Sequence, residues 1–406
     1  MDRKKKVIVI TAYPFNKRDY DRFGIELLRN RGLTVEIWDI TSYLYKNFKD
    51  QLVEENPADF EGLKVFTEKT EILNAIAALD NECLINCFFE YSIRSFAIFR
   101  TISKHGIDYC IFGMVTYPSP PPVRYSFIGR IGSLLKKSRS LKIGEIFDHV
   151  LNKILLEYYY LFGIAPASIN FMLGGDRSTA CASYPVNETT IRLWAHYLDY
   201  DIYLQNKNEP VDQAKITGVF LDQYLPLHPD CLYMGIDFPL SPDDYYPKIC
   251  AFFEILEQKT KAEIVIAAHP RADYDHAPDY FCGRRIVKGD TLRLVRESSF
   301  VLAHSSTAID FAVLYNKPLL FLTTDALEKM VSGKNIIGVD IQAMSSELGK
   351  IPLNMDHVSG IDWEKAMDVD EEIYRQYRDH YIKKQGTPEK QAWDIFSSFI
   401  QQTDIP

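Results

Sequence analysis

Short apolar runs separated by helical segments fill the first half of the chain. The runs VIVITA (7–12), LTVEIWDI (33–40) and DYCIFGMV (108–115) are rich in β-branched or aromatic residues and are followed by polar or turn-forming residues. Such runs are typical of strands buried on both faces of a parallel sheet. Between them, residues 21–32 and 93–104 carry apolar side chains at helical spacing. This alternation predicts a doubly wound α/β sheet.

The same alternation restarts after the polar stretch QNKNEPVDQAK at 205–215, which shows no periodicity. Five strand-like runs follow, at 216–222, 263–269, 284–289, 300–304 and 318–323, and most of them are separated by helical segments. A second Rossmann-like sheet is therefore predicted in the C-terminal half.

The predicted fold class is α/β, with two Rossmann-like domains that face a central cleft and a helical tail. The predicted boundaries are 1–210 for the first domain, 211–385 for the second and 386–406 for a C-terminal helix. With 406 residues, 47% of them hydrophobic, the chain can bury two cores. Ligands of such sheets bind beyond the carboxyl ends of the strands, so polar residues at those ends are the candidates for function.

Charge and cysteine usage narrow the classes of function. The formal net charge is -9, whereas a general nucleic-acid binder is more often basic, so no nucleic-acid partner is predicted. The seven cysteines form no CxxC pair, which favours a reduced intracellular protein over a disulfide framework or a zinc site. No uncharged apolar run reaches the roughly 18 residues of a membrane span, and the apolar run at the start is too short for a signal peptide. We therefore expect a cytoplasmic protein.

Three segments at predicted strand ends form a candidate donor-phosphate site. Its members are His269, Pro270, Arg271, Lys288, Gly289, His304, Ser305, Ser306 and Thr307. The imidazole and guanidinium of the first segment can hydrogen-bond phosphate oxygens. The hydroxyl run precedes an apolar-periodic helix, whose N-terminal N–H groups would favour phosphate, although N-capping alone also explains one hydroxyl. Each segment is a weak signal, and their order along successive strand ends of one domain is the stronger one.

Two carboxylates are candidate catalytic groups. Asp222 ends the first strand of the second domain, where it could act as a general base on an acceptor hydroxyl or as a nucleophile that forms a covalent glycosyl intermediate. The alternative is that Asp222 caps the turn that follows. Asp176, in LGGDRS at 173–178, is the second candidate base.

Basic and polar residues follow two predicted strands of the first domain. Asn16, Lys17 and Arg18 lie in TAYPFNKRDYDR, and Arg177 lies beside Asp176. They could bind the carboxylate of a donor or the acceptor, and a solvated loop is the alternative. No DxD-type metal motif occurs near a strand end, so we expect neither a metal ion nor another cofactor.

Residues 124–142 combine a predicted apolar helical face with six Lys or Arg residues. A basic amphipathic helix can lie on an anionic membrane surface, which predicts a peripheral contact with the inner face of a membrane. A domain helix with solvated lysines is the alternative.

The pattern of the second domain resembles the C-terminal domain of GT-B glycosyltransferases. More narrowly, His269-Pro270 and Ser305-Ser306-Thr307 are similar to the HP and Ser/Thr motifs of bacterial enzymes that use CMP-activated ulosonic acids, such as sialyltransferases and Kdo transferases. The resemblance covers roughly 216–325 and implies that the His and the hydroxyls hold the donor's phosphate. The acidic D/E-D/E-G motif of sialyltransferases has no clear copy here, and the first domain matches only at the level of fold.

The resemblance implies a metal-independent glycosyltransferase. It would move a sugar, such as Kdo or a sialic-acid-like ulosonic acid, from its CMP form to a lipopolysaccharide or capsule acceptor that could be lipid-linked. Domain 1–210 would then bind the acceptor and domain 211–385 the donor. The alternatives are a UDP-sugar transferase or epimerase, a polyol-phosphate transferase, and a non-catalytic subunit of a glycan assembly complex.

Overall fold

The chain forms two compact units in the computed structural model. The described residues are 2–45, 60–113, 117–118, 143–178, 183–211, 215–228, 238–330 and 341–402. The first unit comprises Met1–Val115, Pro122–Leu198 and Gly386–Pro406, and the second comprises Thr116–Pro121 and Asp199–Gln385. The predicted helix 124–142 lies outside the described residues.

The first unit is built on a seven-stranded parallel sheet. Its strands are β1 (Lys6–Thr11), β2 (Thr34–Asp39), β3 (Leu63–Val65), β4 (Cys83–Phe88), β5 (Asp108–Gly113), β6 (Ile169–Leu173) and β7 (Ile191–Ala195). The strand order is β3-β2-β1-β4-β5-β6-β7. Alternate residues of β1 enter two different cores, Ile8 and Ile10 on one face and Val7 and Val9 on the other. Both faces are therefore covered, which explains the continuous apolar run of β1.

Helices and one 3₁₀ segment cover this sheet. They are α1 (Lys17–Arg22), α2 (Ile25–Asn30), α3 (Thr41–Leu44), α4 (Lys69–Ala77), α5 (Phe96–Lys104), α6 (Ile143–Glu157), the 3₁₀ segment Tyr159–Phe162 and, from the end of the chain, α15 (Ala392–Gln401). The predicted helix over 21–32 is broken, because Gly24 adopts a left-handed φ of 60°. A Cβ atom on Gly24 would lie 2.3 Å from the ring of Trp393, so the close approach of α15 also requires glycine there.

The C-terminal residues return to the first unit. The side chains of Trp393 and Phe396 pack on Phe171 of β6, with ring centroids 5.5 and 5.0 Å apart, respectively. A C-terminal helix is present as predicted. The apolar face of this helix packs into the core of the first unit, because such a face must be covered by another element.

The second unit contains a six-stranded parallel sheet. Its strands are β8 (Thr217–Leu221), β9 (Glu263–Ala268), β10 (Ile286–Lys288), β11 (Phe300–Ala303), β12 (Leu319–Thr323) and β13 (Leu353–Asn354). The strand order is β10-β9-β8-β11-β12-β13. The chain thus winds outward from β8 in one direction and then from β11 in the other, as in a Rossmann sheet.

Helices cover both faces of the second sheet as well. They are α7 (Leu198–Asn206), α8 (Pro242–Thr260), α9 (Thr291–Glu297), α10 (Ile309–Leu314), α11 (Asp325–Met330), α12 (Ile341–Glu347), α13 (Trp363–Met367) and α14 (Glu371–Tyr377), with a 3₁₀ turn at Val358–Gly360 and a π-helical turn at Arg378–Ile382. The predicted α/β class with two parallel sheets is confirmed.

Candidate functional site

The two strands at which the second sheet reverses its winding are neighbours. β8 pairs with β11 in parallel register, from Phe300 opposite Gly218 to Ala303 opposite Leu221. The carboxyl ends of these strands form the topological switch point, where doubly wound sheets leave a crevice for ligands. The candidate residues that follow β8, β9, β10 and β11 all lie at this edge of the sheet.

Gln223 joins the two sides of the switch point. Its carbonyl oxygen accepts a hydrogen bond of 2.9 Å from the backbone N–H of Ser305, and its amide nitrogen donates to the Ser305 hydroxyl over 3.4 Å. The side-chain amide thus spans the gap between the loop after β8 and the loop after β11. Sequence reasoning missed Gln223, although its position directly after a strand-end carboxylate could have indicated it.

Asp222 is buried beneath this edge, with only 4% of its surface exposed. One carboxylate oxygen accepts a 2.8 Å hydrogen bond from the backbone N–H of Tyr224. The other accepts from the Tyr274 hydroxyl at 2.7 Å and from the backbone N–H of His269 at 3.4 Å. Burial raises the pKa of Asp222 to about 6, although these hydrogen bonds oppose the rise.

These contacts match the turn-capping alternative for Asp222. The residue that it caps, Tyr224, has a φ of 57°, a conformation that costs energy for a residue with a side chain. The carboxylate thereby holds the loop after β8 and the start of the loop after β9 in one arrangement. The catalytic role of Asp222 stays a prediction, and its contacts give it a positioning role.

His269 follows β9 and is half-buried, whereas Arg271 is exposed. The Nδ1 atom of His269 accepts a 3.2 Å hydrogen bond from the backbone N–H of Arg271, so the neutral ring carries its hydrogen on Nε2. The His269 ring also contacts the ring of His228, with centroids 4.9 Å apart. An imidazole oriented in this way is a suitable donor to a phosphate oxygen.

Lys288 ends β10 and belongs to the same edge. Its ammonium donates a 2.9 Å hydrogen bond to the carbonyl of Ala272, in the loop that also carries His269 and Arg271. Gly289 follows with a φ of 83°, which glycine adopts without strain. The Lys288 side chain therefore lies against the His269 loop.

His304 departs from its predicted role in phosphate binding. It is fully buried, and its two ring nitrogens hydrogen-bond the Leu322 carbonyl at 2.7 Å and the Tyr245 hydroxyl at 2.8 Å. Burial lowers the pKa of His304 to about 4, so the ring is neutral. Its side chain ties β11 to β12 and to α8, because a polar ring at the end of a buried strand must satisfy both nitrogens internally.

The three hydroxyl residues also differ in environment. Ser305 is buried against Gln223, Ser306 is half-buried and Thr307 is exposed. The helix α10 begins only at Ile309, and its N-cap residue is Ala308, whose methyl side chain cannot accept a capping hydrogen bond. The Ser306 hydroxyl accepts from the backbone N–H of Ala308 at 3.3 Å, so the run forms a turn ahead of the helix.

The candidates of the first domain lie in the first unit. Asn16 caps α1 by accepting from the backbone N–H of Asp19 at 3.0 Å, and Lys17 pairs with Asp21 at 2.7 Å. These contacts give both residues a local role in α1, so the segment forms a capped helix where the alternative was a solvated loop. Arg18, Asp176 and Arg177 are exposed, the latter two directly after β6 and its glycine turn.

Two further properties concern the described part of the chain. No group of three or more His, Cys, Asp or Glu side chains converges there as a metal site would require. In that same part, no helix combines the length and the apolar character needed to cross a membrane.

The sequence matches no family model and no curated protein. Solved structures do match its fold at low similarity. CalG4, the calicheamicin glycosyltransferase, is 13% identical, with 93% of this chain and 92% of that chain covered and a TM-score of 0.45. The glycosyltransferase SnogD from Streptomyces nogalater is 11% identical, with 98% and 99% covered and a TM-score of 0.43. A UDP-N-acetylglucosamine 2-epimerase is 11% identical, with 99% and 96% covered and a TM-score of 0.43.

Proposed function

We propose that this protein is a glycosyltransferase that takes its sugar from a nucleotide-activated donor. The observation that carries the proposal is the convergence of three loops at the switch point of the second sheet. Gln223 joins the loop after β8 to Ser305, and Asp222 joins the loop after β8 to His269. The loops after β9 and β11, which the sequence assigns to phosphate binding, are thus both hydrogen-bonded to the loop after β8.

The residues at this edge suit the diphosphate or monophosphate of a nucleotide. His269 has a ring nitrogen that carries hydrogen, and Arg271 has a guanidinium fork. Lys288, at the end of β10, adds a positive charge beside their loop. Ser306 and Thr307 contribute hydroxyls from the neighbouring strand end. Positive charge and hydrogen-bond donors fixed at this position would stabilise the negative charge that grows on the leaving phosphate, and we propose that no metal ion is needed.

Asp222 serves this site as a positioning residue in the proposal. Its carboxylate holds the backbone of His269 and the strained residue Tyr224. A carboxylate other than Asp222 would then take the acceptor's proton, and Asp176, the second candidate base from the sequence, is exposed.

Nucleotide binding tests the proposal directly. Calorimetric titration with CMP, UDP and CDP should show binding of at least one nucleotide, and His269→Ala should weaken that binding by about ten-fold or more, as expected for a lost charge-assisted or strong hydrogen bond. His276→Ala is the matched control, because His276 is exposed on the same loop and its side chain pairs with Asp273 at 3.0 Å. Equal affinity of His269→Ala and wild type would remove the assigned site.

A donor panel then identifies the sugar. We expect the CMP-activated ulosonic acids, Kdo or a sialic acid, to be transferred to a lipopolysaccharide or capsule oligosaccharide faster than UDP-sugars. Preference for a UDP-sugar, or for CDP-glycerol, would instead assign the protein to the other transferase or epimerase classes. Nucleotide binding without turnover of any donor would indicate a non-catalytic subunit.

A further inference from the structure

The side chain of Tyr274 fixes the loop after β9 to the carboxylate beneath it. The Tyr274 hydroxyl donates a 2.7 Å hydrogen bond to one oxygen of Asp222, and the backbone N–H of His269 donates to the same oxygen over 3.4 Å. The segment 269–274 is thus anchored at both ends by one atom. Because Arg271 lies between the two anchors, they restrict the positions that its guanidinium can reach.

The two anchors differ in strength. The hydroxyl of Tyr274 lies 2.7 Å from a carboxylate oxygen, a short charge-assisted contact, whereas the N–H of His269 at 3.4 Å is beyond the usual range, which ends at about 3.2 Å. Residues 275–279, which follow, are exposed apart from the half-buried Ala277. Tyr274 is therefore the stronger anchor and the last one before the exposed part of the loop.

The ring of Tyr274 is held independently of its hydroxyl. It meets the rings of Tyr224 and Phe281 edge-on, with centroids 5.3 and 5.4 Å away, respectively, and Phe281 is fully buried in the core that α8 covers. Tyr224 is the strained residue whose backbone N–H donates to the other oxygen of Asp222. A phenylalanine at position 274 would keep these ring contacts and lose the bond to the carboxylate.

The same hydroxyl acts on the ionisation of Asp222. Burial raises the pKa of Asp222 to about 6, and the hydrogen bond from Tyr274 is the largest of the effects that oppose the rise. Burial and the charge of Asp222 also raise the pKa of Tyr274, so this hydroxyl keeps its hydrogen and remains a donor. Two tyrosines of α8, Tyr245 and Tyr246, also lie near the carboxylate, and the hydroxyl of Tyr245 bonds His304 instead. Among the described side chains, that of Tyr274 alone donates a hydrogen bond to Asp222.

We propose that Tyr274 is a positioning residue of the nucleotide site, whose hydroxyl holds Asp222 in the ionised form that places His269 and Arg271. The proposal rests on the nucleotide-binding function proposed above, and it requires no contact between Tyr274 and the nucleotide. A protonated Asp222 would carry hydrogen on one oxygen, which would then accept fewer hydrogen bonds from the loops around it. Nucleotide affinity should therefore fall when Asp222 takes up a proton.

Calorimetric titration of Tyr274→Phe with the nucleotide that wild type binds tests the proposal. Loss of the hydrogen bond should raise the pKa of Asp222 by about one unit. At about pH 6 the variant should then lose about five-fold more affinity, relative to wild type, than it loses at about pH 8. The imidazoles of His228 and His269 and the phosphate of the nucleotide are present in both titrations, so their proton uptake cancels in this ratio.

Tyr280→Phe is the matched control, because it removes a half-buried hydroxyl from the same loop and keeps a ring that stacks on Tyr246, with centroids 4.1 Å apart. It should have the wild-type affinity at both pH values. In an Asp222→Asn background, where residue 222 cannot ionise, Tyr274→Phe should have the same effect at both pH values.

Two results would overturn the positioning role while leaving nucleotide binding intact. One is equal affinity of Tyr274→Phe and wild type, and the other is a loss of affinity in the variant that is the same at both pH values. A wild-type protein that binds no nucleotide would instead overturn the proposed function, and this role with it.

Discussion

Replacing Asp222 by asparagine should weaken nucleotide binding about ten-fold or more and reduce sugar transfer with it. The carboxylate accepts hydrogen bonds at both oxygens, from Tyr224 on one and from Tyr274 and His269 on the other. An amide of the same shape must turn its NH₂ group toward one of these donors, so at least one N–H or O–H loses its acceptor. A buried donor without a partner costs about 1–3 kcal/mol.

The effect on nucleotide binding depends on which of these hydrogen bonds the asparagine cannot accept. If the NH₂ group replaces the oxygen near His269, the backbone that places the imidazole shifts. If it replaces the oxygen near Tyr224, the strained residue loses its cap and the loop that carries Gln223 rearranges. Either outcome disturbs the phosphate site, and the free energy of unfolding should fall by about 1–3 kcal/mol as well.

Calorimetry and steady-state kinetics on the same variant distinguish positioning from catalysis. Asp273→Asn is the matched control, since Asp273 is exposed on the His269 loop and contacts His276. A variant that loses kcat while its nucleotide affinity stays within about two-fold of wild type would contradict the positioning role. That result would make Asp222 the base or nucleophile that the sequence predicts, because only a group acting in the transition state lowers kcat alone.

The strands of both sheets could be predicted from sequence because their apolar runs are buried on both faces. The runs at 7–12 and 263–269 correspond to β1 and β9 within one residue or so at each end. Short edge strands such as β3 and β13 carry little apolar signal, since they pair on one side only. The broken helix at Gly24 depends on the ring of Trp393, which lies hundreds of residues away in sequence, so no local pattern could have indicated it.

In the candidate site, too, the sequence predicts where residues lie along the chain but not which side chains from distant segments they contact. The position of His269, Lys288 and Ser305 at strand ends follows from the order of strands, which the sequence indicates. What each side chain contacts depends on partners from other elements. The sequence position of His304 predicts a ligand-binding role. In the structure, however, both ring nitrogens are hydrogen-bonded, one to the Leu322 carbonyl and the other to the Tyr245 hydroxyl. Polar residues at strand ends can therefore be placed at one edge of a sheet from the sequence, but burial decides which of them can reach a ligand.

The buried carboxyl of Asp310 leads to the second large prediction. Asp310 lies in the first turn of α10 and is 1% exposed, and neither carboxylate oxygen completes a hydrogen bond with a described residue. Burial raises its pKa well above the usual value of 3.8, and the nearby charge of Asp199 adds to the rise. The Tyr377 hydroxyl opposes the shift only in part. Burial therefore favours the neutral form of this carboxyl in the folded protein.

A raised pKa in the folded state makes the protein less stable as pH increases. Below the pKa of the unfolded chain the carboxyl is protonated in both states and has no effect on the free energy of unfolding. Above it, the unfolded chain ionises and is thereby stabilised. The free energy of unfolding then falls by about 1.4 kcal/mol per pH unit until the pH reaches the folded pKa. Asparagine is neutral in both states, so Asp310→Asn removes this dependence while keeping a polar group of the same shape.

We therefore expect Asp310→Asn to be more stable than wild type near neutral pH, by about 1–3 kcal/mol, and to lose this advantage near pH 4. Urea unfolding of both proteins at a series of pH values measures the difference, in which the contributions of all other titrating groups cancel. Asp243→Asn, at an exposed position in the first turn of α8, is the matched control and should follow the wild-type pH dependence. Parallel curves for Asp310→Asn and wild type would mean that Asp310 ionises in the folded protein, and hence that a cation or donor reaches it there.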